Sequence, residues 1–153
     1  NFIKREFNIL IGDRTAEEVK LDLVAALPIR EERRARIRGR DMVTNLPQTT
    51  EITSTLIYQA IHEPCAAILS AIKWVLERTP PELAADVMHN GIYITGGGSL
   101  LDGIDRLLTN ETGLPVYIAE DPLTCVAKGT GFALNNIGVL SASSKKKGLK
   151  KIV

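Results

Sequence analysis

Apolar residues recur every three or four positions along most of this chain, and every second position in one short stretch. The first spacing marks amphipathic helices and the second a strand with two unlike faces. Residues 1–10 read as the end of a helix, with Phe2 or Ile3, Phe7, and Ile9 or Leu10 on its apolar side, and Gly12 breaks it. A new helix is predicted over 15–27. Thr15 is its N-cap, Glu18 completes a capping box, and Pro28 ends it. From 34 to 40, Arg34, Arg36, Arg38 and Arg40 alternate with Ala35, Ile37 and Gly39, which predicts a strand with one arginine face. After the turn NLPQ, a second strand near 49–54 completes a hairpin. The arginine row suits a polyanion or, more simply, a solvated strand face.

Helices follow. TSTLIYQAIHE runs to Pro64, and residues 65–77 place Cys65, Ile68, Leu69, Ile72, Val75 and Leu76 on one side. TPPE is a loop whose prolines suit a first helical turn, and ELAADVMH is a short helix closed by Asn90 and Gly91. The strand IYIT then leads into GGGSLLDG. Ser99 is expected to cap the next helix with Asp102 in a capping box, and Leu100, Leu101, Ile104, Leu107 and Leu108 form its stripe. Gly113 and Pro115 end that helix, and VYIA is another strand. Asp121 and Pro122 are expected to open a last helix, in which Gly129 and Gly131 allow a close neighbour. Helix, strand, helix, strand, helix is the alternation of an α/β protein.

Composition changes the picture in two places. The 153 residues, 44% hydrophobic and 24% charged, suit one soluble domain or two small lobes, with no run long enough to span a membrane. The opening NFIKREFNIL has no signal-peptide layout and starts inside a helix-like pattern, which predicts a fragment of a longer protein. The net charge of +1 hides a division. The tail SASSKKKGLKKIV holds five of the nineteen basic residues, leaving fourteen against eighteen acids before it. A mildly acidic body is no nucleic-acid binder by charge. The tail is expected to be disordered, either solvated or held near anionic lipid. Cys65 and Cys125 follow no metal spacing and are expected to be reduced core residues.

The glycine corner carries the most chemistry. Gly96, Gly97 and Gly98 between a strand and a helix permit a tight turn, or let a phosphate or sugar touch the backbone. The pattern lacks the Gly-Lys-Ser/Thr of a P-loop and the G-x-G-x-x-G of a dinucleotide fold. Glu17 and Lys20, three apart on a helix, suit a surface ion pair, or a pair that hydrogen-bonds a ribose hydroxyl and flanks an adenine ring. No Ser/His/Asp set, metal cluster or nucleophile elbow is present.

Taken in order, IGDRTAEEVK, RGRDMVTNLPQTTEITS and TPPELAADVMHNGIYITGGGSLLDGIDRLLTNETGLPVYIAEDPLTCVAKGTGFAL closely resemble the MreB family of bacterial actin-like proteins and its paralogues, over residues 1–137. The resemblance implies the actin-like ATPase (ribonuclease H-like) fold, with this chain as a partial second domain. Residues 1–58 would be its α+β outer lobe (IIB-like), 59–140 an incomplete inner nucleotide-binding lobe (IIA-like), and 141–153 a basic tail. It implies ATP as ligand, with Mg2+ in the intact protein. Gly96, Gly97, Gly98 and Ser99 would meet the ribose and phosphate side, Glu17, Glu18, Val19 and Lys20 the adenosine side, and Leu101 would lie near the adenine. The family's two phosphate loops and its water-positioning acid belong to earlier sequence, so hydrolysis by this chain is left open. The resemblance also implies ATP-dependent filaments in the cytoplasm at the inner face of the membrane, with cell-wall synthesis and morphogenesis proteins as partners and no nucleic acid. A sugar-kinase or chaperone-type ATPase of the same fold, or a module without nucleotide, are the rival readings.

Overall fold

A computed structural model describes residues 1–137. The chain begins with α1 (Phe2–Phe7), β1 (Ile9–Leu10), α2 (Asp13–Leu23), β2 (Arg34–Asp41) and β3 (Pro47–Thr53). These strands make an antiparallel sheet in the order β1-β2-β3, with Ile9 opposite Asp41 and Ile37 opposite Thr50. The predicted alternation holds on β2: its arginines are exposed and Ile37 is buried. Gly39 is required by close approach. A Cβ there would lie 2.3 Å from Ile9 Cγ2 and 2.6 Å from the Leu10 carbonyl oxygen.

The remainder is α3 (Ser54–Glu77), α4 (Pro81–Asn90), β4 (Ile92–Ile94), a 3-10 turn (Gly97–Leu100), α5 (Ile104–Thr112), β5 (Val116–Ile118) and α6 (Cys125–Asn135). β4 and β5 form a separate two-stranded parallel pair, Ile92 opposite Val116. A parallel pair needs a crossover, and α5 supplies it.

Two apolar clusters divide the interior. The first holds Ile3, Ile9, Val19, Leu23, Val24, Ile37, Ile52 and Ile57. The second holds Ala26, Cys65, Ile104, Leu108 and Val116. α3 serves both, with Ile57 in one and Cys65 in the other, and Ile61 and Leu101 pack against both.

Several expectations are corrected. The opening helix stops at Phe7, because Asn8 turns left-handed (φ 53°) and Ile9–Leu10 pair with β2. α2 starts at Asp13 with Gly12 as its cap, so Thr15 caps nothing, and Glu18 bonds Arg14 Nε at 3.1 Å. α2 also ends at Leu23, well before Pro28. The chain extends there so that the Ala26 N–H can reach the Asp102 carbonyl at 2.7 Å. The two segments around Pro64 are one helix. Proline removes one backbone bond, and burial of Ile57 and Cys65 on the same helix offsets it. Asp121 sits in a turn (φ 48°) whose carbonyl accepts from Thr124 and Cys125, so Thr124, not Asp121, precedes α6. Gly129 and Gly131 have nothing within 4 Å of an added Cβ, so they mark no close packing within the described chain. The 141–153 tail lies outside the described residues.

Candidate functional site

The glycine corner and α2 face one cavity of about 600 Å³. Glu17 and Lys20 stand at one side, and Gly97, Gly98 and Ser99 at the other. That volume falls within the usual range of small-molecule sites. The sequence separates these segments by some eighty residues. One backbone tie joins them, and a second bond fixes the corner itself. Ala26 donates to Asp102 at 2.7 Å and Ala25 bridges Asp102, which anchors the end of α2 just beyond the glycines. The Gly96 N–H donates to Pro122 O at 2.8 Å, which fixes the corner to the turn before α6.

The three glycines have different reasons for being there. Gly96 sits at φ 80°, where a side chain is strained. Gly97 and Gly98 are in the ordinary range. An added Cβ would lie 3.6 Å from Leu123 at Gly97 and meet nothing within 4 Å at Gly98. Neither the chain's packing nor its backbone demands glycine at 97 or 98. Their amide N–H groups also have no hydrogen-bond partner among the described residues. What both positions provide is bare backbone beside an open cavity.

Ser99 behaves differently from the expected helix cap. It is buried within the 3-10 turn, and its hydroxyl donates to the Gly96 carbonyl at 2.7 Å. It therefore holds the corner shut, while Gly103 (φ 75°) precedes α5. Asp102 pairs with Arg106 at 3.2 Å and completes no capping box.

On the other side, Lys20 Nζ lies 3.2 Å from Glu17 Oε1, an exposed i,i+3 pair of small energetic weight. Both side chains line the cavity. Glu18 pairs outward with Arg14, and Val19 is buried in the first cluster; neither lines the cavity, nor does Gly96. Leu101 does, with Ile68, Ile72 and Leu108 as apolar walls. The sequence reading missed Arg33, Thr95 and Leu123, which also reach the cavity. No local pattern flags them, because loop geometry alone brings them there.

Cys65 lines the same cavity, is free, and is buried enough to push its thiol above its ordinary pKa. Cys125, also free, is only half-buried and is not the core residue expected. A second cavity of about 440 Å³ lies across α3, lined by Tyr58, His62 and Glu111. Ile61 and Cys65 line both. Among the described residues no His/Cys/Asp/Glu group is arranged to hold a metal, and no helix is long and apolar enough to cross a membrane.

The architecture is similar to that of solved actin-like proteins. The solved structure of MreB 5 of Spiroplasma citri bound to AMPPNP superposes with a TM-score of 0.83 at 38% identity, covering 94% of this chain and 43% of that one. The cell shape-determining protein Mbl of Bacillus subtilis (strain 168) is 49% identical over 140 residues, which is 92% of this chain and 42% of Mbl. The cell shape-determining protein MreB of Escherichia coli (strain K12) is 46% identical over 137 residues, 90% of this chain and 40% of MreB. The family profile described as MreB/Mbl protein matches residues 1–142. The chain belongs to the MreB/Mbl family and has its actin-like fold. It spans about two fifths of the length of the curated relatives it matches.

Proposed function

We propose that this chain forms the adenosine side of an ATP cleft in a filament-forming, cell-shape-determining protein. The observation that carries the reading is the bare backbone at Gly97 and Gly98, which faces the cavity shared with Glu17 and Lys20. In this reading residues 1–58 are the outer lobe and 59–140 an incomplete inner lobe, with the cleft opening between them. The Glu17 carboxylate accepts a ribose hydroxyl, and Lys20 orients that carboxylate. Gly97 and Gly98 let the sugar-phosphate approach the main chain, and their N–H groups donate to it. Leu101 and the neighbouring apolar wall receive the base. Ser99 acts through its bond to Gly96, not by touching the ligand. Glu18 and Val19 support the helix and make no contact. When bound, ATP with Mg2+ would bring the hydrolysable phosphoanhydride. This chain's own residues orient it, and the acid that positions water comes from elsewhere in the protein.

The complete protein would assemble with ATP into filaments in the cytoplasm at the inner membrane face, together with cell-wall synthesis and morphogenesis proteins. Family membership supports this reading over a sugar kinase or chaperone ATPase. Two measurements test it. Titration of ATP into the 153-residue chain is expected to give weak binding or none, since only one wall is present; tight binding would sink the split cleft. In the intact polypeptide, Gly98→Val is expected to weaken ATP binding by about tenfold or more with an unchanged unfolding midpoint. Unchanged binding would remove the glycine corner from the site.

A further inference from the structure

The second cavity holds none of the residues assigned to the nucleotide. It encloses about 440 Å³ between α3, α5 and the chain that follows α2. Leu27, Ile61, Leu69 and Leu107 line it and are half-buried. Its polar groups are few. Tyr58 and His62 sit one turn apart on α3, edge to face, with ring centroids 6.4 Å apart. Glu111 of α5 joins them, and no lysine or arginine lines the cavity. His62 and Glu111 are exposed, so they stand at its mouth.

These polar groups have unused capacity. Lys73 reaches Glu111 from outside the lining, at 3.1 Å and through Oε2 alone, an exposed pair of small weight. Glu111 Oε1, the Tyr58 hydroxyl and the His62 ring make no hydrogen bond among the described residues. A carboxylate accepts from an ammonium, and an aromatic face attracts one. Apolar walls beside them take a hydrocarbon stem.

α3 is also the partition between the two cavities. Ile61 and Cys65 line both, and Pro64 between them lines the first. Proline leaves the Ala60 carbonyl without its helical N–H, so α3 bends most easily at this turn. A packed interior does not compress, so a body placed in one cavity pushes the shared wall toward the other.

We propose that the second cavity is an effector site for a small organic ammonium ion with an apolar body, and that filling it lowers nucleotide affinity across α3. The site stands on its own lining, and the coupling rests on the nucleotide reading. The ammonium donates to Glu111 Oε1 and lies against the Tyr58 ring, while the stem covers Leu69 and Leu107. Ile61 and Cys65 then move toward the first cavity and narrow it.

The probe is hexylamine, with 1-hexanol and hexanoate as its neutral and anionic analogues. Each is titrated into the intact polypeptide by calorimetry, with and without ATP. Hexylamine is expected to bind about tenfold more tightly than hexanol, and hexanoate more weakly than either. E111Q is expected to erase that preference. K73A is expected to raise it by about twofold or more, because a competing cation is gone. Neither Glu111 nor Lys73 lines the first cavity, so ATP affinity without amine stays within about twofold in both variants. Saturating hexylamine is expected to weaken ATP binding by about fivefold, to a plateau, and ATP to weaken hexylamine binding by the same factor. Urea unfolding midpoints check that each variant folds. Equal binding of amine and alcohol, or a preference that survives E111Q, overturns the site. ATP affinity that falls without a plateau marks direct competition in the first cavity and overturns it too. ATP affinity unmoved by bound amine overturns the effector role. If the polypeptide binds no ATP, the nucleotide reading falls and takes the coupling with it, while the Glu111-dependent preference still decides the site.

Discussion

The two halves of this chain are finished to different degrees. The first encloses eight buried apolar residues between an antiparallel sheet and three helices, and Ile52 is wholly inaccessible. The second encloses five, under a two-stranded parallel sheet. Fourteen of the nineteen large apolar side chains exposed among the described residues lie beyond residue 59, including Tyr93, Tyr117 and Phe132. A sheet of two short parallel strands cannot cover the helices around it. The local pattern of the second half asks for more apolar partners than the described residues supply. The lesson is that amphipathic periodicity reports which face of an element is meant to be covered, not whether a cover is present. The relatives, of which this chain spans about two fifths, have the length to supply one.

The difference can be broken or sharpened by substitution. Ile52→Ala is expected to lower the stability of the first half by about 2–5 kcal/mol, because a filled, closed core collapses poorly around a cavity. Phe132→Ala, at a site 72% exposed, is expected to change it by less than about 0.5 kcal/mol. Urea unfolding of both variants measures this, and equal losses would erase the distinction. Gly39→Ala is expected to cost about 1–3 kcal/mol by forcing β1 off β2, with faster amide exchange at the Leu10–Arg40 pairing.

At the glycine corner, Gly96→Ala is expected to cost about 1 kcal/mol or more from its positive φ, while Gly98→Ala stays within about 0.5 kcal/mol. Equal costs would make the corner a purely structural turn. The smallest effect concerns pH. Backbone N–H groups of Thr44 and Val43 hold the Asp41 carboxyl below its ordinary value. Its contribution is therefore present above the ordinary carboxylate pKa and is lost as pH falls through the lowered one. Amide exchange at Val43 and Thr44 is expected to accelerate only on that acid side, and in Asp41→Ala at every pH. A flat profile in the parent chain would show that the carboxylate does not hold the hairpin turn.

Much of the molecule was legible in the residues themselves. The arginine alternation from 34 to 40 determined β2 and its exposed face, because a period of two has no other regular home. Prolines at 80 and 81, then Gly91, bounded α4 as local chemistry requires. Glu17 and Lys20 were bound to pair, since helical spacing alone brings them together. Motif order carried the family. What the residues did not determine was every choice made by a distant partner. The extension of Val24–Ala26 depends on Asp102, and the two-residue β1 on Arg40 and Asp41. The capping box at 15–18 failed because α2 starts earlier, at Asp13, and that at 99–102 because the Ser99 hydroxyl bonds the Gly96 carbonyl. The cavity between α2 and the glycines belongs to this second class. The sequence held the residues on both sides of this cavity, and only the tie between Ala26 and Asp102 set them across from each other.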